Sequence, residues 1–235
     1  LIELGVPTRV DTVGRPSDNA LEQLTKTILA SRNPVIVAGS EVVSSDAQNK
    51  VARLAEALGA PVYQQTVPSG AHFISEHPAF MGSLTRDQQR VRNALAPYDL
   101  MLALGCDILQ MSVWSPVDPL PPELEIIQIG LRDWEIGKNY HAKVALRHDV
   151  RETLDALVPL LIQRGGETLK DRASAGMKSL ISSNWSTNRA ESVQQASKKA
   201  DIQPIEPQWL MMALSNQLTE NCIVVDEGLT AAKSL

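Results

Sequence analysis

Asn33-Pro-Val-Ile-Val-Ala-Gly39, joined through a helix to Leu54-Ala-Glu-Ala-Leu-Gly-Ala-Pro-Val62, decides the fold. The first run is apolar without alternation, which describes a strand covered on both faces. Pro34 sits where a strand begins and needs no ladder N–H, and Gly39 ends the run. Val51, Leu54, Ala55 and Leu58 recur at helical spacing. Ser45 or Asp46 is expected to cap that helix, and Gly59 suits its left-handed C-terminal cap. Pro61 to Thr66 is the next strand. Strand, helix and strand with short joins make a parallel, right-handed βαβ unit.

The same alternation extends outward. Ser17 to Leu29 places Leu21, Leu24, Ile28 and Leu29 on one helical face, with Asp18 near its first turn. Downstream, Arg86 to Ala96 predicts a helix, and Asp99 to Leu104 a strand closed by Gly105. Glu125 to Ile129 predicts a strand closed by Gly130, and Lys143 to Leu146 a short strand. A helix over Val150 to Gln163 carries Leu154, Leu157, Val158 and Leu161 on one face. Five strands alternating with helices predict an α/β fold, an open doubly wound parallel sheet of Rossmann-like type over residues 17–164.

Residues 1–16 read as a linker from a preceding domain. Residues 165–203 turn to Ser, Lys, Asn, Gln and Glu and read as a solvated linker, with Met177, Leu180, Ile181 and Trp185 available to pack a helix on the domain. Residues 204–235 read as the opening of a second domain. A helix with an early Pro207 precedes an apolar strand, Cys222 to Asp226, which runs into a turn at Gly228. A strand followed by a glycine turn and a helix start suits a phosphate. It also needs neighbours for its edges, so the chain reads as an interior piece of a longer polypeptide.

Composition excludes some classes. Aromatic residues are 4% of the chain, too few for a base-stacking surface, and a net charge of −5 opposes binding to a phosphate backbone. No run is apolar enough for a membrane span. Cys106 and Cys222 are expected as two reduced, buried thiols of a cytoplasmic protein. His72, His77, His141 and His148 lack metal-ligand spacing, and His77 suits a surface or capping role. Gly39, Gly105 and Gly130 lie where such sheets bind ligands, yet they form no dinucleotide fingerprint and can simply turn the chain. Trp114 and Trp134, in long loops, are expected to pack in the core or at a subunit interface.

With Glu76-His-Pro-Ala-Phe-Met-Gly82, Asp99-Leu-Met-Leu-Ala-Leu-Gly105 and Glu135-Ile-Gly-Lys-Asn-Tyr140 following in order, the series resembles the central domain of thiamine-diphosphate enzymes of the acetolactate synthase and benzoylformate decarboxylase group. Val224 to Thr230 resembles the start of the diphosphate-binding domain. The resemblance implies thiamine diphosphate and Mg²⁺ in the intact protein, a 2-oxo acid substrate and a homo-oligomer. It implies a structural and subunit-packing role for the central domain, and no tight cofactor binding by this piece alone. Glu227, Gly228, Leu229 and Thr230 match the turn that touches the cofactor diphosphate. Ser112 stands where the benzoylformate branch has an active-site histidine, and Trp114 follows it in the same loop. Where the flavin branch has an arginine-rich loop and an aspartate-rich turn, this chain has Gly105-Cys-Asp-Ile108 and Gly130-Leu-Arg-Asp133, so FAD is not expected. The alternative is a stand-alone nucleotide- or flavin-binding module without catalysis.

Overall fold

The computed structural model describes residues 13–112 and 114–225. The chain opens with α1, Asp18–Ala30, whose first turn is capped by Ser17 Oγ accepting the Ala20 N–H at 3.3 Å. Strand β1, Pro34–Ala38, is buried at every position, as its unbroken apolar run requires. It leads to α2, Ser40–Ser44, and α3, Gln48–Leu58. Short α2 was not expected. It places Ser45 at its C-terminus, so neither Ser45 nor Asp46 caps α3, which starts at Ala47 without a side-chain cap. Gly59 ends α3 in the left-handed conformation, as its sequence position suggests.

Strands β2, Val62–Gln64, and β3, Phe80–Ser83, precede α4, Gln88–Leu95, capped by Asp87. Then come β4, Leu100–Leu104, β5, Glu125–Gly130, and β6, Val144–Arg147. All pairings are parallel, in the order β3-β2-β1-β4-β5-β6. The sheet therefore has six strands, not five. Four-residue β3 contains Gly82 and lies at the sheet edge, where a short strand needs no long apolar run, so the sequence gives little sign of it.

Alternation along the strands builds two apolar layers. Ile36, Ala38, Leu100, Leu102, Leu104, Ile127 and Ile129 point toward α1, α3 and the helix after β6. Val35, Val37, Met101, Ala103 and Ile126 point the other way, toward Val91 and Leu95 of α4 and the loop after β4. Each large side chain fully buried in these layers stabilises the fold by about 1.5–3 kcal/mol.

The helix after β6, α5, extends over Val150–Leu180 and is broken at Gly166 (φ 54°, ψ −149°). The segment expected as solvated linker is thus largely helical. Leu169 and Ala173 are buried, and Gly176 lets the second half of α5 lie against the Gly59 backbone. A Cβ on Gly59 would stand 2.6 Å from the Ala173 carbonyl oxygen. Leu180 is buried and Met177 and Trp185 pack against the core, as expected for a helix on the domain, whereas Ile181 is exposed; the many polar residues between them are why composition resembled a linker. Helix α6, Trp185–Ser197, packs Trp185 against Phe80 with centroids 5.9 Å apart and the rings tilted by 45°, covering edge strand β3. Helix α7, Pro207–Ser215, follows. Beyond it, the described residues Cys222 to Val225 form no strand, and Cys222 is exposed rather than buried. Among the described residues this segment has no strand to pair with, and its apolar pattern cannot supply one. No helix among the described residues is long and apolar enough to cross a membrane.

Candidate functional site

In the order β3-β2-β1-β4-β5-β6 the direction of winding reverses between β1 and β4. Sheets of this kind bind ligands in the crevice beyond the carboxyl ends of those strands. Three of the glycines noted in the sequence meet here. A Cβ on Gly39 would lie 2.2 Å from the Gly105 carbonyl oxygen and 2.4 Å from Cys106 Cα. A Cβ on Gly105 (φ +56°) would lie 2.4 Å from Glu41 Cβ. The loops after β1 and β4 are therefore in backbone contact. The Glu41 N–H donates to the Gly105 carbonyl at 3.1 Å, so an amide at the start of α2 points into protein.

The rest of the crevice holds charged side chains. The Glu41 carboxylate accepts the Leu131 N–H at 2.5 Å and Arg132 Nε–H at 2.9 Å. Arg132 Nη2 lies 2.7 Å from Asp107 Oδ1. Both carboxylate side chains are only 13% exposed. Burial alone lowers the Arg132 pKa, but the Glu41 hydrogen bond and the charges of Asp107, Glu41 and Glu135 outweigh it and hold the pKa above its ordinary value. Buried Gln128, on β5, accepts the Gly137 N–H and donates to the Cys106 carbonyl, fixing the loops after β4 and β5 together. Burial pushes the Cys106 thiol up to about 12, so it is an inert core group. Next to Asp107, buried Ile108 adopts φ 61°, a strained conformation for a β-branched residue that the surrounding contacts must hold.

A second polar cluster lies at the end of β2. Gln64, Gln65, Thr66 and His72 are all buried. Thr66 Oγ1 accepts the Gln110 N–H at 2.7 Å, and Gln110 Nε2 donates to Asp107 Oδ2 at 2.7 Å. His72 donates its backbone N–H to Gln64 Oε1, and its ring lies 3.3 Å from Ser69 Oγ. Burial lowers the His72 pKa, against a smaller opposing effect from the Ala38 carbonyl, and so favours the neutral ring. No sequence motif announced this cluster: Gln64, Gln65 and Thr66 close the segment that reads as a strand, and His72 follows in the loop beyond it.

The residues singled out in the sequence are placed as follows. Ser112 is exposed in the loop after β4, and Trp114 beyond it is 83% exposed. Trp134, in the loop after β5, is 77% exposed with Lys138 Nζ 5.3 Å from its ring centroid. Neither tryptophan packs in the core. His77 does serve as a local cap, its Nδ1 accepting the Ala79 N–H at 3.2 Å. Glu227, Gly228, Leu229 and Thr230 lie outside the described residues. Among the described residues no group of three or more His, Cys, Asp or Glu could hold a metal ion. A cavity of about 520 Å³ is lined by Arg53, Ala57, Ile162, Leu169 and other residues of α3 and α5, not by the strand-end loops.

The fold and its closed switch point define a doubly wound α/β domain whose carboxyl-end loops carry exposed aromatic groups. The chain belongs to the family described as thiamine pyrophosphate enzyme, central domain, which it matches over residues 21–157. It is 31% identical over 152 residues to the acetolactate synthase of Mycobacterium avium, covering 64% of this chain and 24% of that protein. It is 29% identical over 150 residues to the benzoylformate decarboxylase of Pseudomonas aeruginosa, covering 64% and 28%. Among solved structures, the thiamine diphosphate-dependent 4-hydroxybenzoylformate decarboxylase of Rhodococcus jostii RHA1 superposes with a TM-score of 0.62 at 27% identity, covering 66% of this chain and 29% of that one. The chain spans about a quarter of the length of the curated relatives it matches.

Proposed function

We propose that this chain is the central domain, with the opening of the diphosphate-binding domain, of a cytoplasmic, homo-oligomeric enzyme. That enzyme would use thiamine diphosphate and Mg²⁺ to decarboxylate or ligate a 2-oxo acid. The observation that carries the reading is the family match over residues 21–157. The described residues do not fit the cofactor themselves: the switch-point crevice is filled by protein, and no cluster is arranged for a metal. The domain's own contribution is then architectural, with the loop bearing Ser112 and Trp114 forming one wall of a substrate pocket. An exposed indole offers apolar and edge contacts to an acyl chain or ring. Serine cannot relay a proton at neutral pH as imidazole does, so Ser112 would shape the wall or donate a hydrogen bond rather than act as an acid or base. The diphosphate would be met by Glu227, Gly228, Leu229 and Thr230, where amides and a hydroxyl follow a strand.

The test uses the polypeptide together with its flanking domains. Thiamine diphosphate, Mg²⁺ and a panel of aliphatic and aromatic 2-oxo acids are supplied, and CO₂ release is followed. Cofactor-dependent turnover of at least one acid is expected, with Trp114→Ala changing the KM ranking across the panel. Absence of turnover with every acid would overturn the enzymatic reading, and an unchanged ranking would remove Trp114 from the pocket.

A further inference from the structure

Glu41 occupies the position and the hydrogen bonds that an anionic ligand takes in a sheet of this kind. A ligand phosphate at a switch point is gripped by backbone N–H groups after the strands and by a nearby guanidinium, with glycines admitting its close approach. Each of these elements is present. The Leu131 N–H follows β5, Arg132 stands beside it, and Gly130 leaves open the space where a Cβ would come 3.1 Å from a Glu41 carboxylate oxygen. What they hold is the chain's own carboxylate, buried and fixed over 90 residues of sequence separation.

We infer that Glu41 is a built-in substitute for a ligand phosphate, which closes a nucleotide-binding crevice and leaves a latent anion site beneath it. Two features support a substitution rather than a surface ion pair. The Glu41 carboxylate is mostly buried and satisfied by two donors, one of them a main-chain amide. Its backbone also carries the α2 amide onto Gly105, so that one residue seals the crevice with both its main chain and its side chain. Shortening the side chain frees the Leu131 N–H and the Arg132 Nε–H for a diphosphate group, while Asp107 keeps Arg132 in place.

The experiment compares the wild-type protein with Glu41→Gly and Glu41→Ser in thermal melts and calorimetry, using ADP, FAD and inorganic pyrophosphate as probes. Wild type should show no saturable binding and no shift of Tm. The variants should melt lower than wild type, and millimolar ADP or pyrophosphate should raise their Tm by several degrees. Adding Arg132→Gln to either variant should abolish that gain, whereas Glu41→Gln, which keeps the bulk, should gain little. Saturable binding of ADP or FAD by wild type would overturn the inference. So would Glu41→Gly and Glu41→Ser variants that are folded by circular dichroism yet gain no response to any probe. None of these readouts depends on turnover, so failure here leaves the proposed enzymatic reading untouched.

Discussion

Asp99 stands at the amino end of β4 and ties it to the entry of β1. Its carboxylate accepts Ser31 Oγ–H, the Arg32 N–H at 2.7 Å and the Asn33 N–H at 3.0 Å. Burial raises its pKa, but these hydrogen bonds more than offset that and the net shift is downward. A lowered pKa in the folded state means stability that is complete above the unfolded value of about 3.9 and is lost as pH falls through the folded value. Asp99→Asn should therefore cost about 1–2 kcal/mol in urea titrations at pH 7, allowing for its partial exposure. The difference from wild type should shrink at pH 3. At the same scale, Gly39→Ala forces a methyl into the Gly105 carbonyl and the Cys106 backbone, neither of which is a flexible chain end. A loss of about 2–3 kcal/mol is expected, read from the urea midpoint. The two thiols should also separate. Cys222 is fully exposed, with its pKa lowered by the Thr219 hydroxyl and amide, whereas burial holds Cys106 at about 12. At pH 8 a disulfide reagent should label Cys222 at once and Cys106 only on unfolding.

Helix α5 poses the main question at the level of elements. Its first half completes the layer on α1 and α3, and its second half turns at Gly166 and runs across the Gly59 cap of α3. The turn needs φ +54° with an extended ψ, a region open essentially to glycine alone. Contact is then made by small residues, with the Gly59 carbonyl oxygen 2.5 Å from a Cβ built on Gly176. Arg172 adds a hydrogen bond of 2.7 Å to the Ser31 carbonyl at the end of α1. Gly176→Val should pry this second half away without unfolding the sheet. Limited proteolysis should then cut near residues 165–180 in the variant while sparing wild type. Equal cutting in both would show that the second half of α5 does not dock in solution.

For the whole molecule, the exposed apolar groups concentrate in two places. One is the carboxyl end of the sheet, with Trp114, Trp134 and Leu131. The other is the segment around α7, where Leu210, Leu214, Leu218, Ile223 and Val225 are exposed. Exposed apolar patches of this kind mark surfaces that other protein covers, and both suit the proposed function. On that reading the cofactor is gripped elsewhere. The 235-residue chain titrated with thiamine diphosphate and Mg²⁺ should give no saturable heat. In the protein with its flanking domains, Thr230→Val should weaken cofactor binding by about 1–2 kcal/mol, the loss of one hydrogen bond to a charged group. An unchanged affinity would take Thr230 out of the site.

How much of this was legible in the sequence depended on whether the signal was local. Unbroken apolar runs such as Pro34–Ala38 and Leu100–Leu104, and the periodic faces of α1, α3 and the first half of α5, specified a parallel sheet between helical layers, because burial on both faces leaves a strand no polar position. The ordered series of motifs likewise pointed to the thiamine pyrophosphate enzyme family. Tertiary structure alone decided the rest. Edge strand β3 draws its order from β2 and Trp185 rather than from its own residues, and the second half of α5 meets the α3 cap through Gly176 and Ala173, whose small size carries no hydrophobic signal. Glu41, Asp107 and Arg132 are up to 91 residues apart, ordinary charged residues in any local reading. Only the convergence of three strand ends makes them one buried cluster, because the pairing that offsets the loss of hydration exists nowhere but in the assembled fold.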